Sequence, residues 1–268
     1  MTAIIKTEFQ KMKRYHILLI ALIGMFCSPL LQLFSQFAMN DALKDPYYDL
    51  AALLESTIWG NAQIFLPVMI TLTGGYLINR EYTDDTLKNI LTVPVSFHRF
   101  LWGKLLTSGI LAVGFGIYSF FAAIIVGFFA GLPKAGFSVL TGYFFQMAVL
   151  SVCIYIVVLP LLIIDSRKKG RFMGGAVAAF LVGYACLFFK TGILRSVYPV
   201  SAALTVVGFD MAEYTGTASQ GNRVLAVLVL GIILLVSVML VWFCKPPQEG
   251  TKHKIRGRGG KQLRVSQR

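Results

Sequence analysis

Six stretches of the chain run for 18 to 28 residues without a single Asp, Glu, Lys or Arg. They are Ile17–Phe37, Thr57–Ile78, Leu105–Ala130, Phe137–Ile164, Phe172–Phe189 and Val224–Cys244. A helix needs about 20 apolar residues to cross a hydrocarbon core of about 30 Å. Each run is therefore expected to be a transmembrane helix, and the fold class an all-α polytopic membrane protein. Composition agrees: 56% of the 268 residues are hydrophobic and only 14% charged, against about a quarter charged in soluble domains. The first run follows basic residues, as in a signal peptide, but it is long and no A-x-A-like cleavage site follows. It is expected to be a retained span.

The basic residues orient the spans. Twenty of the 25 Lys and Arg fall in four segments on one side: the amino terminus, the loop after span two, the turn "DSRKKGR" after span four, and the tail. The alternate loops hold the other five, Lys44, Lys134, Lys190, Arg195 and Arg223. Short loops rich in Lys and Arg stay on the cytoplasmic side, so both termini are expected there. The net charge of +13 thus has a topological cause, and nucleic acid is not expected as a partner. The apolar stretch Ile193–Phe209 would make a seventh span and export the tail. It is instead expected to be a re-entrant or extracellular helical element between spans five and six, broken near Pro199.

Two cytoplasmic elements do not span. Residues 1–16, "MTAIIKTEFQKMKRYH", place Ile5, Phe9, Met12 and His16 on one helical stripe and Lys6, Gln10, Lys13 and Arg14 opposite. That pattern predicts an amphipathic helix in the interface, its cations near lipid headgroups. Between spans two and three, "NREYTDDTLKNILTVPVSFHRFLWGKLL" carries the densest acidic cluster. Thr83 is expected to cap a short helix, with Asp84 and Asp85 in its first turn, where negative charge suits the dipole. Leu87, Ile90 and Leu91 form its apolar stripe, and Pro94 ends it. Its polar edge, Glu81, Asp84, Asp85 and Lys88, is expected to face the cytosol. Residues 17–244 form the six-span domain. The tail, 245–268, is basic, contains Gly and Pro, and is expected to be disordered.

Absences narrow the function. The chain has no G-x-x-x-x-G-K-[ST] phosphate loop, no H-E-x-x-H and no G-x-S-x-G elbow, so ATP binding, zinc hydrolysis and acyl transfer lack their usual residues. Cys27, Cys153, Cys186 and Cys244 lie in apolar runs without metal-ligand spacing, and no metal site or disulfide is expected. Proton relays and ion-coupled carriers place ionisable groups inside their spans, and these six runs hold none. Energy for transport is therefore expected from a partner.

The segment Gly75–Leu106 resembles the signature loop of type-2 ABC transporter permeases. That loop has an acidic-aromatic start, a T-L-K-N-L-L-like helix, a P-[VI]-S turn and a basic-aromatic run. The matching positions include Arg80, Glu81, Tyr82, Thr86, Leu87, Lys88, Asn89, Leu91, Pro94, Ser96, Arg99 and Lys104. The basic amino-terminal helix, the six spans and the outer element are similar too. In length and texture the chain looks most like permeases for bacitracin resistance and lantibiotic immunity. The resemblance implies the membrane subunit of an ATP-driven exporter in the bacterial plasma membrane, moving a peptide antibiotic or other amphipathic compound. It implies no catalytic residue in this chain; separate ATPase subunits would bind ATP and Mg. A second permease copy or paralogue would complete the pathway, among membrane lipids. Arg80, Glu81, Tyr82, Asp84, Asp85, Thr86, Leu87, Lys88, Leu91 and Pro94 would couple to the ATPase. Ile5, Phe9 and Met12 would seat the interfacial helix, and Tyr198 and Pro199 would shape the outer exit. A non-transporting scaffold or sensor that recruits an ATPase would share the loop but need no substrate path.

Overall fold

The computed structural model describes residues 2–12, 16–39, 47–83, 97–167, 170–189, 192–216 and 221–243; for 2–6, 82, 83, 213 and 215 it describes the backbone alone. The described residues form helices joined by turns and short irregular segments, with no strand among them. In chain order they form α1 (Thr2–Met12), α2 (His16–Ala38), α3 (Leu50–Gly60), a π turn (Asn61–Phe65), α4 (Leu66–Thr83) and α5 (Phe97–Phe129). Then follow α6 (Phe137–Asp165), α7 (Phe172–Tyr184) with a 3₁₀ turn (Ala185–Phe188), α8 (Gly192–Val197), α9 (Pro199–Val206), α10 (Ala212–Thr215) and α11 (Arg223–Trp242).

Among the described residues five helical units are long and apolar enough to cross a membrane: α2, the continuous α3–π–α4 unit, α5, α6 and α11. The chain is thus an all-α, multi-pass membrane protein. The fifth expected span is the shorter apolar helix Phe172–Phe188. Its 13 α residues and 4 residues of 3₁₀ helix rise about 28 Å together, close to the hydrocarbon thickness.

The structure corrects two boundaries. The second span begins at Leu50, where Asp49 caps it by accepting the Ala52 N–H at 2.9 Å, rather than at Thr57. That brings Glu55 inside the helix. The third begins at Phe97 rather than Leu105, which brings in Arg99 and Lys104. The membrane helices therefore do contain ionisable groups: Lys104 adjoins its uncharged run, Glu55 lies two residues before its own, and Arg99 six before the third. Hydropathy stopped at those charges, whereas a helix continues wherever tertiary partners satisfy them.

The α3–π–α4 unit is the axis of the bundle: 67% of its apolar window is buried, against 22% for α2 and for α11. It packs on α2, α5, α6 and α7, while α5 also packs along α6. Two glycines permit the closest approaches. A Cβ at Gly183 would lie 1.9 Å from the Gln63 carbonyl, and one at Gly116 would lie 2.8 Å from the Met147 carbonyl. Small residues let membrane helices meet backbone to backbone.

The second half of the element between spans five and six is buried in the bundle. Helices α8 and α9 meet at Tyr198–Pro199, Pro199 occupying the first helical position. Val200 to Thr205 are all buried, α9 packing on α11 and α6. Arg195, counted above among loop cations, is itself 4% exposed. At this end Leu50 N–H donates to the Pro133 carbonyl. At the opposite, basic end Gly170 N–H donates to Asn79 Oδ1 at 2.6 Å, and His98 Nε2 meets the Trp242 carbonyl at 3.1 Å.

Candidate functional site

The basic end holds a charge cluster that local patterns do not announce. Helix α4 continues past its apolar part through Asn79, Arg80 and Glu81 to Thr83. Helix α5 starts beside it and presents Lys104 two turns in. Helix α1 lies across α5 and offers Glu8, Lys11 and Met12 from one face. Lys104 Nζ donates to Glu8 Oε2 at 2.5 Å and to Glu81 Oε1 at 2.8 Å. Lys11 Nζ donates to Glu81 Oε1 at 3.0 Å and lies 3.5 Å from Glu8 Oε1.

Two carboxylates and two ammonium groups leave the cluster formally neutral. Lys104 is 2% exposed, and Glu8 and Glu81 are 4% each. Lys11 closes the solvent side. Phe97, Phe100, Leu101, Leu105 and Ile78 form an apolar collar, and the Lys104 ammonium sits 5.4 Å from the Phe100 ring centroid. Burying charges costs several kcal/mol per ion unless each is paired and hydrogen-bonded. Here each buried ion has at least two opposite partners. Glu81 also sits in the last turn of α4, where the helix dipole disfavours negative charge. Tertiary pairing, not helix propensity, holds it there. The cluster thus clamps α1 to the bases of α4 and α5, flanking the segment 84–96.

The expected site residues distribute unevenly around this clamp. Glu81 is buried inside it, which corrects its expected place on a cytosol-facing edge. Thr83 is the last described residue of α4, its backbone alone described, and the helix it is expected to cap lies outside the described residues. Arg80 Nη1 donates to Tyr76 Oη at 3.1 Å, one turn back on α4. Tyr82 belongs to α4, its backbone alone being described. Asp84, Asp85, Thr86, Leu87, Lys88, Leu91 and Pro94 lie outside the described residues. On α1, Met12 is 4% exposed and Phe9 37%, so the face against protein runs through Glu8 and Met12 and the Phe9 face looks outward. Ile5 lies on the same helix, backbone alone described, and His16 begins α2 instead. Tyr198 and Pro199 are at the far end. Tyr198 Oη donates to the Val182 carbonyl, its ring stacks on Phe189 at 4.3 Å, and burial pushes its hydroxyl up to about 12.

Sequence reasoning missed Glu8 and the pairing role of Lys104. The available signal was Glu8 itself, the only acidic residue before Asp41 in a strongly basic segment. Among the described residues no group of three His, Cys, Asp or Glu could hold a metal ion.

The family model for the ABC-2 family transporter protein matches residues 4–186. The chain belongs to the ABC-2 transporter family. The match runs from α1 through α7, so Glu8, Glu81 and Lys104 all lie within it, while α8 to α11 lie beyond. No curated protein matches the chain. The permease is accordingly a multi-pass membrane subunit for transport and not an enzyme by itself. Its clamp lies at the base of the second and third spans, on either side of the loop that resembles the family signature.

Proposed function

We propose that this permease is the membrane subunit of an ATP-driven exporter in a bacterial plasma membrane, powered by separate ATPase subunits. Both termini and the clamp face the cytoplasm, as the 20-to-5 split of basic residues supports. Residues 84–91 form the coupling helix that seats on the ATPase, with Arg80 and Tyr82 at its root. A second permease copy or paralogue completes the pathway. The cargo is an amphipathic compound such as a peptide antibiotic, and export confers resistance or immunity.

The observation that carries this proposal is the Glu8–Lys104–Glu81 clamp. A push on residues 84–96 is delivered to α4 and α5 together, because Lys104 joins them, and Glu8 makes α1 move with both. ATP binding then shifts the population of two bundle states, to the extent that the ATPase contacts them unequally. Co-expression with an ABC ATPase from the same genome tests it. Asp84→Lys with Asp85→Lys is expected to leave the permease inserted while at least halving ATPase co-purification. Full retention of the ATPase on that variant would refute the coupling assignment.

A further inference from the structure

Two neighbouring helices carry a backbone defect at one level of the bundle. In the second span the turn Asn61–Phe65 is π-helical, Leu66 N–H donating to the Asn61 carbonyl five residues back. Pro67 follows as the second residue of α4. A proline has no N–H, and inside a helix its ring clashes with the carbonyl four residues back, here that of Gln63. The π turn carries this carbonyl aside, into a notch on α7: a Cβ at Gly183 would collide with it. In α2, Pro29 lies inside the helix and leaves the Met25 carbonyl without its α-helical donor. The two defects lie side by side. Met69 reaches over Gly24 and Gln32 over Gly60, so Ser28, midway along that stripe of α2, sits beside the π turn.

Polar side chains at this level are left unbonded. Other buried hydroxyls bond the carbonyl one turn back: Thr57 to Leu53 at 2.6 Å, Thr73 to Met69 at 2.6 Å and Thr107 to Gly103 at 2.9 Å. Ser28 Oγ and Thr71 Oγ1, both fully buried, have no hydrogen-bond partner among the described residues. Asn61 Nδ2 donates to Ser119 Oγ at 2.7 Å, but Asn61 Oδ1 accepts nothing there. A buried polar group without a partner is costly. In membrane helices Ser and Thr hydroxyls re-satisfy carbonyls that prolines free, and Ser28 and Thr71 stand within about a turn of Pro29 and Pro67. The arrangement therefore keeps donors and acceptors that a differently bent one can pair. Sharp kinks arise at prolines and π turns, and π turns concentrate at functional sites. Both ends of the second span are held, Leu50 by the Pro133 carbonyl and Glu81 by the clamp, so bending has to occur between them.

We propose that Asn61–Pro67 and Pro29 form one hinge, at which the second span and α2 bend together while the Gln63 carbonyl turns in the Gly183 notch. Naming it the joint through which displacement of the clamp reaches the far end of the bundle rests on the transport reading. The test is hydrogen–deuterium exchange of the full-length permease in lipid nanodiscs, read by mass spectrometry. Peptides covering 60–68 and 25–33 should exchange about tenfold or more faster than the peptide covering 70–78. Pro67→Ala restores the missing donor and should slow 60–68 selectively. Pro29→Ala should do the same for 25–33, and it keeps the test alive where Pro67→Ala fails to fold. Pro160→Ala, inside α6, should leave both segments unchanged.

Exchange at 60–68 no faster than at 70–78, or unaltered in both folded proline variants, would overturn the proposal. Slowing of both segments by Pro160→Ala would overturn it too, since the effect would then be general stabilisation. With an ABC ATPase from the same genome bound, ATP and vanadate should change exchange at 60–68 more than at 70–78. Local exchange in the permease alone without that nucleotide response refutes the coupling reading and leaves the hinge standing. Uniform exchange in a permease that still couples refutes the hinge alone.

Discussion

Replacing Lys104 by Met removes the centre of the clamp while keeping much of the side-chain volume. At 2.8 Å from Glu81 and 2.5 Å from Glu8, each pair attracts by about 6 kcal/mol gross at an effective dielectric of about 20. Desolvation of the three buried ions cancels most of that in the native protein. The variant loses the attraction and keeps the desolvation, because Glu8 and Glu81 remain buried and now face each other. Lys11 compensates little, since its side chain is 38% exposed and exposed pairs contribute about 1 kcal/mol or less. Removing one partner of a buried ion cluster typically costs about 3–5 kcal/mol, and that loss is expected here. The assay is reversible unfolding of the permease in mixed micelles, titrated with sodium dodecyl sulfate and followed by far-UV circular dichroism. The triple variant Glu8→Gln, Glu81→Gln, Lys104→Met should recover to within about 1 kcal/mol of wild type, because the three buried positions then hold no charge to desolvate and the remaining Lys11 reaches solvent. Lys104→Met within 1 kcal/mol of wild type would refute the account. So would a triple variant as unstable as the single one, since the loss would then come from packing of the lysine stem.

Two further outcomes follow from the packing. Gly183→Val should destabilise the bundle by several kcal/mol or abolish folded yield, because its Cβ would fall 1.9 Å from the Gln63 backbone carbonyl; monodisperse elution of the purified variant reports it. The mutation Asn222→Ala removes the cap of α11, whose side chain accepts the Val224 and Leu225 N–H groups. About 1 kcal/mol is expected to be lost, read as faster hydrogen exchange confined to the first turn of α11.

Several features were legible because they follow from the solvent. Lipid offers no hydrogen bonds, so long uncharged runs must be helices, and α2, α6 and α11 match their predicted bounds within one or two residues. The family likeness of the loop between spans two and three was legible from its residue order. The rest turned on single charges. Glu55 looked like a boundary, since an isolated carboxylate is costly in a membrane, whereas α3 runs unbroken through it from Leu50. Glu81 looked like part of an exposed edge because it adjoins Asp84 and Asp85 in sequence. Its partners, Lys104 and Lys11, are 23 and 70 residues away and share no period with it.

The sequence by itself determined the class of molecule: a helical, multi-pass permease, because backbone hydrogen bonding and hydrophobic thickness act on every residue of a run. Only the tertiary structure decided which charges are buried and what they do. A buried ion is stable only beside its counter-ion, and that neighbour is set by how helices cross rather than by any spacing along the chain.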